Sequence, residues 1–248
     1  MRLRIASYNI LHCENDILRK KGERVIDPSQ TAETVRALDV DICGLNEVYC
    51  QCGGDGLCDQ SAVMGDVLGM HAVFAEAIDI PHGKYGNALL SRYPILSLRR
   101  VPICTLPEER EYKGKFEDRV LLVAQIEVAQ VPLTVMVCHF GLESIEQERA
   151  LEVVRREVAR VNTPLIFMGD LNVTPDSRVY GELASFLQDA ALSSNAEAEA
   201  LMTFSRDDPR MKIDYIFTNS LCRAVDFEVV RTGCSDHLPI RATVEFGA

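Results

Sequence analysis

The stretch that most constrains the fold is an apolar run that ends abruptly in polar residues. Residues 165–168, Leu-Ile-Phe-Met, have the length and composition of a buried strand, and Gly-Asp-Leu-Asn follows directly. Asp170 and Asn172 are two residues apart, so on an extended chain both point to one side while Leu171 points into the core. Pro175 then ends any ladder pairing. The pattern predicts a strand that delivers a carboxylate and a carboxamide at a sheet edge, with a polar turn as the alternative.

The composition is that of a globular domain with a sizeable core. Of the 248 residues, 47% are hydrophobic and 25% are charged, which is ordinary for such proteins. No apolar run approaches the ~18 residues of a membrane-spanning helix, and the N-terminus does not resemble a signal peptide. We therefore expect a single cytoplasmic domain over residues 1–248 with no transmembrane segment. The sequence indicates no protein partner.

The formal charge of −11, from 26 basic and 37 acidic residues, limits the choice of ligand. Tight non-specific binding to a long polyanion depends on neutralising its phosphates with basic residues, so this charge disfavours nucleic acid. A small phosphate ester, held by a metal ion and a few local cations, stays compatible with it.

Three of the nine cysteines crowd one glycine-rich loop, namely Cys50, Cys52 and Cys58. A structural zinc site needs four ligands, and the loop offers no obvious fourth. A disulfide is disfavoured in a reducing compartment. We therefore expect a loop with free thiols, and a zinc site is the remote alternative.

Hydrophobic patterns along the chain predict more strands than helices. Strands are predicted at 3–10, 40–45, 71–80, 85–91, 95–103, 120–128, 133–140, 164–169, 212–218, 224–230 and 240–246, the second of them ending at Asn46-Glu47. Helices are predicted from Asp27-Pro28, near 61–68, from a capping box at Ser144 to Gln147, and near 177–189. Because helices are interspersed among strands, the fold class is α/β or α+β.

Polar residues of a particular kind stand at or near the predicted strand ends. Their side chains are carboxylates, carboxamides, imidazoles and one guanidinium. Oxygen ligands without thiolates are what a hard cation such as Mg²⁺ prefers, and histidine and arginine suit a phosphate oxyanion and proton transfer. The candidate site residues are Asn9, Glu47, Asn87, Arg119, His139, Asp170, Asn172, Asp214, Asp236 and His237.

Several of these residues also have a simpler interpretation. An asparagine at a strand end, such as Asn9 or Asn87, is commonly a turn cap. Arg119 stands beside two acidic residues and could be a surface cation, and a lone histidine in a β-rich run is often a hydrogen-bonded core residue. Asp214 differs from these, because an unpaired carboxylate between apolar strand residues is costly. It requires a partner, and His237 is the natural one.

Taken in order, these motifs resemble the endonuclease/exonuclease/phosphatase superfamily, the metal-dependent phosphohydrolases related to DNase I and exonuclease III. The resemblance runs from Asn9 to the Ser-Asp-His-Leu-Pro motif that ends at Pro239, so it covers nearly the whole chain. It implies a four-layer α/β sandwich of the DNase I-like type, in which two packed mixed β-sheets are flanked by helices.

The resemblance also implies a role for each residue. Glu47 resembles the principal ligand of Mg²⁺ (or Mn²⁺), assisted by Asn9 and by Asp236. Asp170 resembles the carboxylate that orients or deprotonates the attacking water, and Asn172 the carboxamide that holds the phosphate.

Asp214 and His237 resemble a pair in which the carboxylate fixes the imidazole tautomer and stabilises its cation. His139 and Arg119 resemble donors to the non-bridging phosphate oxygens, and Asn87 belongs to the same catalytic set. Whether Asp170 or His237 is the general base stays open at this stage.

Departures from the family pattern bear on the substrate. Asn46 stands where relatives usually have glutamine, and His139 where abasic-site endonucleases have tyrosine. The chain has no tryptophan and only 6% aromatic residues, which disfavours a base-stacking platform. The motifs Tyr-Gly-Asn-Ala-Leu-Leu-Ser-Arg-Tyr-Pro-Ile and Cys-His-Phe-Gly-Leu look like the bacterial metal-dependent hydrolase branch, which includes relatives of sphingomyelin phosphodiesterases.

The resemblance therefore predicts a Mg²⁺- or Mn²⁺-dependent hydrolase that cleaves a phosphodiester or phosphomonoester of a small or lipid-derived molecule by in-line attack of an activated water. A nuclease that uses the same centre on DNA or RNA is the main alternative. A catalytically silent binding module is a third hypothesis, and the intact set of candidate Glu, Asp, Asn and His residues disfavours it.

Overall fold

The computed structural model describes residues 1–51, 58–109, 116–193 and 197–247, which form twelve strands and five α-helices. The strands are β1 (Arg2–Asn9), β2 (Ile42–Gln51), β3 (His71–Ile80), β4 (Gly83–Ser91), β5 (Ile95–Ile103), β6 (Arg119–Val128), β7 (Val131–Cys138), β8 (Leu165–Asp170), β9 (Gln188–Asp189), β10 (Asp214–Thr218), β11 (Cys222–Val229) and β12 (Ile240–Phe246). The helices are α1 (Asp16–Arg19), α2 (Pro28–Leu38), α3 (Gln60–Leu68), α4 (Ser144–Val158) and α5 (Arg178–Ala184). Short 3-10 helices cover Leu11–Cys13, Ala190–Ser193 and Ala198–Leu201.

The strands form two six-stranded sheets that pack face to face. The first sheet has the order β11-β12-β1-β2-β4-β3, and the second has the order β5-β6-β7-β8-β10-β9. The pairs β1–β2 and β7–β8 are parallel, while the other pairs are antiparallel, so both sheets are mixed. The core between the sheets consists of their inward-facing apolar residues, among them Leu3, Ile42, Leu122, Val135 and Ile166.

Helices cover the outer face of each sheet. α2 and α3 pack on the first sheet through residues such as Leu38 and Met64, and α4 and α5 pack on the second through residues such as Val154 and Leu183. The layers are therefore helices, sheet, sheet and helices, which confirms the predicted four-layer sandwich. None of the helices in the described ranges combines the length and the apolar character that crossing a membrane would need.

The two best-marked helices begin as their sequences indicate, with one change of capping residue. In α2, the Asp27 carboxylate accepts hydrogen bonds from two backbone N–H groups of the first turn, and Pro28 fills the first helical position. α4 begins at Ser144, but Glu143 is its N-cap residue, and the Glu146 side chain accepts from the Glu143 backbone N–H at 3.2 Å. Gln147 instead donates to the carbonyl oxygen of Asn172 at 2.9 Å, which ties α4 to the loop after β8.

Two predicted element ends are wrong. β2 does not end at Asn46-Glu47, because a bulge there allows pairing with β4 to resume at Val48 and continue to Gln51. The helix predicted near 177–189 ends at Ala184, because residues 188–189 form β9 and pair with β10. In the cysteine loop, the Cys50 thiol donates to Asp59 at 3.4 Å, and Cys52 lies outside the described residues.

Candidate active site

The side-chain amide of Asn9, the last residue of β1, joins the two sheets at one edge. Its Nδ2 donates to Glu47 Oε1 and to Asp170 Oδ2, both at 3.0 Å. Its Oδ1 accepts from the backbone N–H of Leu11 at 3.1 Å. One amide therefore fixes a carboxylate from each sheet, and the other candidate residues are arranged around these two.

Asp170 is positioned by a close approach of β8 to β7. Gly169 precedes it with φ +148°, and a Cβ atom there would lie 1.8 Å from the Cys138 carbonyl oxygen, so the strands can approach only because this residue is glycine. Asn46 Oδ1 accepts from the Asp170 backbone N–H at 2.9 Å, and Asp170 Oδ1 accepts from the Asn172 N–H at 3.0 Å. Asp170 is consequently buried and held at both its backbone and its carboxylate.

Asp214 and His237 form a buried pair next to Asp170. His237 Nδ1 lies 2.9 Å from Asp214 Oδ2, and its Nε2 lies 3.6 Å from Asp170 Oδ2. Burial by itself lowers the pKa of His237, but the carboxylates of Asp214 and Asp170 raise it to about 10. The imidazole is therefore a buried cation at neutral pH, and it lies between two carboxyl groups.

The pKa of Asp170 is raised to about 7, mainly because the carboxyl group is buried. The His237 cation lowers this pKa in part, and the nearby charge of Asp214 raises it again. A carboxyl group with this pKa is partly ionised at neutral pH, so it can accept a proton from a water molecule.

His139 lies on another side of Asp170 and is neutral. Its Nε2 is 3.5 Å from Asp170 Oδ2, and its Nδ1 is 3.3 Å from Arg119 Nη1. Both ring nitrogens face donors, because Asn172 Nδ2 lies 3.1 Å from Nε2, and a neutral imidazole accepts a hydrogen bond at only one of its nitrogens. Burial, together with the cations of Arg119 and His237, holds the pKa of His139 well below its usual value.

Arg119 and Asn172 complete this side of the cluster. The Arg119 side chain is only 10% exposed and pairs with Glu117 at 2.9 Å, so it is not a surface cation. Its buried Nε has no hydrogen-bond partner among the described residues. Asn172 has φ +49°, a conformation that asparagine tolerates. Its Nδ2 donates to the Phe140 carbonyl oxygen at 3.0 Å and lies 3.1 Å from His139 Nε2.

Two candidate residues, Asn87 and Asp236, have no hydrogen bond to Asp170 or to the two histidines around it among the described residues. Asn87 is buried behind the cluster, where its Oδ1 accepts from Asn46 at 2.8 Å and its Nδ2 donates to the Val120 carbonyl oxygen at 2.9 Å. The Asp236 carboxylate accepts from the Ser235 hydroxyl at 3.3 Å and lies 3.6 Å from Arg19 Nη2. Asn87 therefore contacts the site through Asn46.

The donor atoms at this edge fit a hard divalent cation. Candidate ligand atoms of Asp170, Asp214 and His237 all lie within 4.8 Å of one another. Asp214 Oδ1 is buried and has no hydrogen-bond partner among the described residues. Among the described residues at this edge, carboxylate oxygens without a thiolate suit Mg²⁺ or Mn²⁺, whereas the protonated His237 ring has no lone pair to offer an ion.

Asn46 and His12 contact the site and are not among the sequence-predicted set. Asn46 holds the Asp170 backbone, and its signal in the sequence is its place directly before Glu47 at an expected strand end. His12 lies 3.8 Å from the Glu47 carboxylate, and its signal is weaker, a histidine three residues after Asn9 in a polar segment. Both contacts join residues that are distant in sequence.

Solved structures with the same architecture show the fold to be DNase I-like. An endonuclease/exonuclease/phosphatase from Beutenbergia cavernae matches with TM-score 0.82 and 24% identity, covering 100% of this chain and 72% of that chain. A mannosyl-6-phosphatase from Bacteroides thetaiotaomicron matches with TM-score 0.79 and 19% identity, covering 98% and 100%. The human nocturnin catalytic domain, with a bound sulfate anion, matches with TM-score 0.72 and 20% identity, covering 99% and 94%. Comparison with curated proteins gives no match.

A comparison with protein-family models assigns the chain to a family. The model of the endonuclease/exonuclease/phosphatase family matches residues 6–237, which is nearly the whole chain. The chain belongs to this family, and the resemblance found in its sequence is confirmed. Members of the family are hydrolases that act on phosphate esters, so this protein is a hydrolase of that class.

Proposed function

We propose that this protein is a divalent-metal-dependent phosphoesterase that cleaves a phosphodiester or phosphomonoester of a small or lipid-derived molecule. The observation that carries the proposal is the carboxyl group of Asp170, whose raised pKa places it between ionised and neutral, beside one cationic and one neutral imidazole. This arrangement combines a base for water with fixed donors for phosphate oxygens.

Asp170 is the proposed general base. With a pKa of about 7, it can take a proton from the attacking water at neutral pH. Hydrogen bonds from Asn172 and Asn9, both at 3.0 Å, fix the two carboxylate oxygens and hence the direction in which the base acts. His237 has a pKa of about 10, so it is already protonated at neutral pH and is not available as the base.

His237, Arg119 and His139 are the proposed donors to the phosphate oxygens, and Asn172 is proposed to hold the phosphate with its amide. In-line attack on phosphorus spreads negative charge over these oxygens, and preorganised donors in a buried site stabilise that charge. Asp214 holds His237 Nδ1 at 2.9 Å, which leaves the Nε2–H group to donate. Arg119 also contacts His139, since its Nη1 lies 3.3 Å from the Nδ1 atom of the ring.

Glu47 and Asp236 are the proposed carboxylate ligands of Mg²⁺ or Mn²⁺. When bound, such an ion neutralises charge on phosphate oxygens and lowers the pKa of water. Asn9, a predicted third ligand, turns its Nδ2 towards Glu47 here, so we assign it the task of orienting that ligand.

A second group, Asp170, Asp214 and His237, also has ligand atoms close enough to bind a cation. We favour Glu47 for the metal because the His237 Nδ1 atom is already bonded to Asp214. A protonated imidazole also repels a metal ion and offers it no lone pair.

The choice of a small substrate rests on charge and composition. A chain with a formal charge of −11 and no tryptophan is poorly suited to bind a long nucleic acid by phosphate contacts or base stacking. One structural relative is a mannosyl-6-phosphatase, and the nocturnin domain holds a sulfate anion. Both are compatible with a site for a tetrahedral oxyanion of a small molecule.

A substrate panel tests this proposal. Phosphomonoesters, phosphodiesters such as glycerophosphodiesters and sphingomyelin, and short oligonucleotides are incubated with the protein in Mg²⁺ or Mn²⁺. We expect release of phosphate or of a phosphorylated product from a small or lipid-derived ester, abolished by chelator. Asp170→Asn and His237→Ala are each expected to lower kcat by about 100-fold or more, because each removes a group that acts in proton transfer or charge stabilisation.

Ser97→Ala, a change on the exposed strand β5, is the matched control and should retain activity. Activity that persists in chelator, or that survives both site substitutions, would refute the proposed chemistry. Preferential cleavage of the oligonucleotides, with a steep loss as salt rises, would instead support a nuclease.

A further inference from the structure

Glu47, the proposed principal metal ligand, lies on irregular backbone, and the orientation of its carboxylate depends on contacts with other side chains. It lies in the β2 bulge with φ +57°, a left-handed conformation that is uncommon for residues other than glycine. Asn9 holds one carboxylate oxygen, Oε1, at 3.0 Å. The other oxygen, Oε2, faces His12 Nδ1 at 3.8 Å.

The ring of His12 is fixed from two further directions. It stacks on Tyr49 with 4.6 Å between centroids and 9° between planes. Its Nε2 lies 3.2 Å from Glu14 Oε2, and Arg24 faces the other oxygen of Glu14 at 3.7 Å. His12 Nδ1 is buried and has no hydrogen-bond partner among the described residues. Buried polar atoms usually have a partner, and among the described residues the Glu47 carboxylate faces this atom at 3.8 Å.

The backbone around His12 is also specialised. Leu11, His12 and Cys13 have φ values of +46°, +42° and +61°, a run of left-handed residues without a glycine. The buried Gln60 side chain donates to the His12 carbonyl oxygen at 2.6 Å and accepts from the Tyr49 backbone N–H at 2.8 Å. One glutamine thus fixes both members of the stack, so the unfavourable turn is maintained by contacts that hold the imidazole beside Glu47.

We propose that His12 is a positioning residue that holds the Glu47 carboxylate in its metal-binding orientation, with Glu14 fixing the ring. This inference rests on the proposed function, because it assigns His12 a task in the proposed metal site. Partners that orient a metal ligand without touching the metal commonly change metal affinity by about 10- to 100-fold when removed. Asn9 and His12 would then limit rotation of the carboxylate from its two sides.

The test is the affinity of the metal-free protein for Mn²⁺, measured by isothermal titration calorimetry. His12→Phe keeps a flat ring to stack on Tyr49 but removes both nitrogens, and we expect Mn²⁺ to bind about 10-fold more weakly. Its melting temperature in chelator should stay close to that of the wild type, because the stack is retained. His71→Phe, at an exposed position of β3, is the matched control and should bind Mn²⁺ like the wild type.

Two further variants separate positioning from a general structural effect. In the Glu47→Gln background, His12→Phe should cause no additional loss of Mn²⁺ affinity, because the group that His12 positions has already been changed. His12→Gln, which keeps an amide donor, should recover part of the affinity lost in His12→Phe.

Wild-type affinity in His12→Phe, or an equal further loss in the Glu47→Gln background, would overturn the inference. If His12→Phe does not fold, Glu14→Ala, which removes the hydrogen-bonding group beside His12 Nε2, takes its place, and unchanged Mn²⁺ affinity in that variant would overturn it equally. A wild-type protein that binds no Mn²⁺ would refute the proposed metal dependence as well. Tight wild-type binding that is indifferent to His12 and Glu14 would refute only the role of His12.

Discussion

Asp170 Oδ2 and His237 Nε2 lie 3.6 Å apart, and both groups hold their protons more tightly than they would in water. The causes differ. For Asp170, burial disfavours the ionised form, whereas for His237 two neighbouring carboxylates outweigh the opposing effect of burial. At the scale of single residues, the same surroundings thus yield a carboxyl group that is partly ionised near neutral pH and an imidazole cation beside it.

The first prediction concerns the pH dependence of stability in the metal-free protein. The pKa of His237 rises from 6.5 to about 10 on folding. Below pH 6.5 both states are protonated and the stabilisation is complete. Above it the unfolded chain releases its proton first, so the stabilisation is lost as pH rises towards 10. We expect the melting temperature of the wild type in chelator to fall more steeply between pH 7 and 10 than that of His237→Gln.

The comparison between the two proteins cancels the titration of surface lysines, which they share. Melting curves followed by circular dichroism at pH 7, 8, 9 and 10 provide the measurement. Parallel pH profiles for the wild type and His237→Gln would contradict the raised pKa of His237.

At the scale of elements, the site depends on irregular backbone in two strands. β8 reaches the edge of its sheet through Gly169, whose missing side chain lets the strand pass against the Cys138 carbonyl of β7. β2 passes through a bulge that redirects Asn46 and Glu47 before pairing resumes. Both features bring carboxylates to the Asn9 amide, and neither is part of the regular strand pattern.

Gly169→Ala should therefore disturb the site and the fold together. The added Cβ would lie 1.8 Å from a backbone oxygen, at a φ of +148° that residues with a side chain rarely adopt. We expect a loss of about 3 kcal/mol in the free energy of unfolding, as for other overpacked positions, measured by urea denaturation. Activity should also fall, because Asp170 follows directly.

Gly181→Ala is the control for that experiment. Gly181 lies within α5 and a Cβ there meets nothing within 4 Å. Alanine is favoured over glycine in a helix by about 1 kcal/mol, so this variant should be as stable as the wild type or more so. Equal stability of Gly169→Ala and Gly181→Ala would mean that the approach of β8 to β7 does not need a glycine.

At the scale of the whole molecule, the site is assembled across the two sheets. The first sheet contributes Asn9 and Glu47 from its strands and His237 from the loop between β11 and β12. The second contributes Asp170 and Asp214 from adjacent strands. An ion or a phosphate held by residues of both sheets should therefore raise the free energy of unfolding of the whole domain when it binds.

Metal addition should accordingly raise the melting temperature. A ligand that binds only the folded state stabilises it by about 2.7 kcal/mol at 100 times its Kd. We expect saturating Mn²⁺ to increase the melting temperature of the wild type in differential scanning calorimetry and chelator to reverse the increase. Glu47→Gln should show a smaller shift, and a shift of wild-type size in that variant would show that the ion binds elsewhere.

Much of the fold could be predicted because sheet and helix periods are local properties of the chain. The strand around residues 165–168 and the helix after Asp27 follow from apolar spacing and capping chemistry within a few residues. The four-layer arrangement followed from the family resemblance, and it is confirmed. One domain over residues 1–248, the role of each site residue and the identity of the ion stay predictions or proposals.

The sequence by itself determined which polar side chains are candidates for the site, since residue type and strand period are written in the chain, although Glu47 and Asn87 lie within β2 and β4 and not at strand ends. Only the tertiary structure decided how they meet. Three contacts join segments that are far apart in sequence. They are the bridge of the Asn9 amide between Glu47 and Asp170, the contact of Asn46 with the Asp170 backbone, and the ring of His12 beside Glu47. The pKa values at the site are set by the same packing, because burial and neighbouring charge act through space and not along the chain.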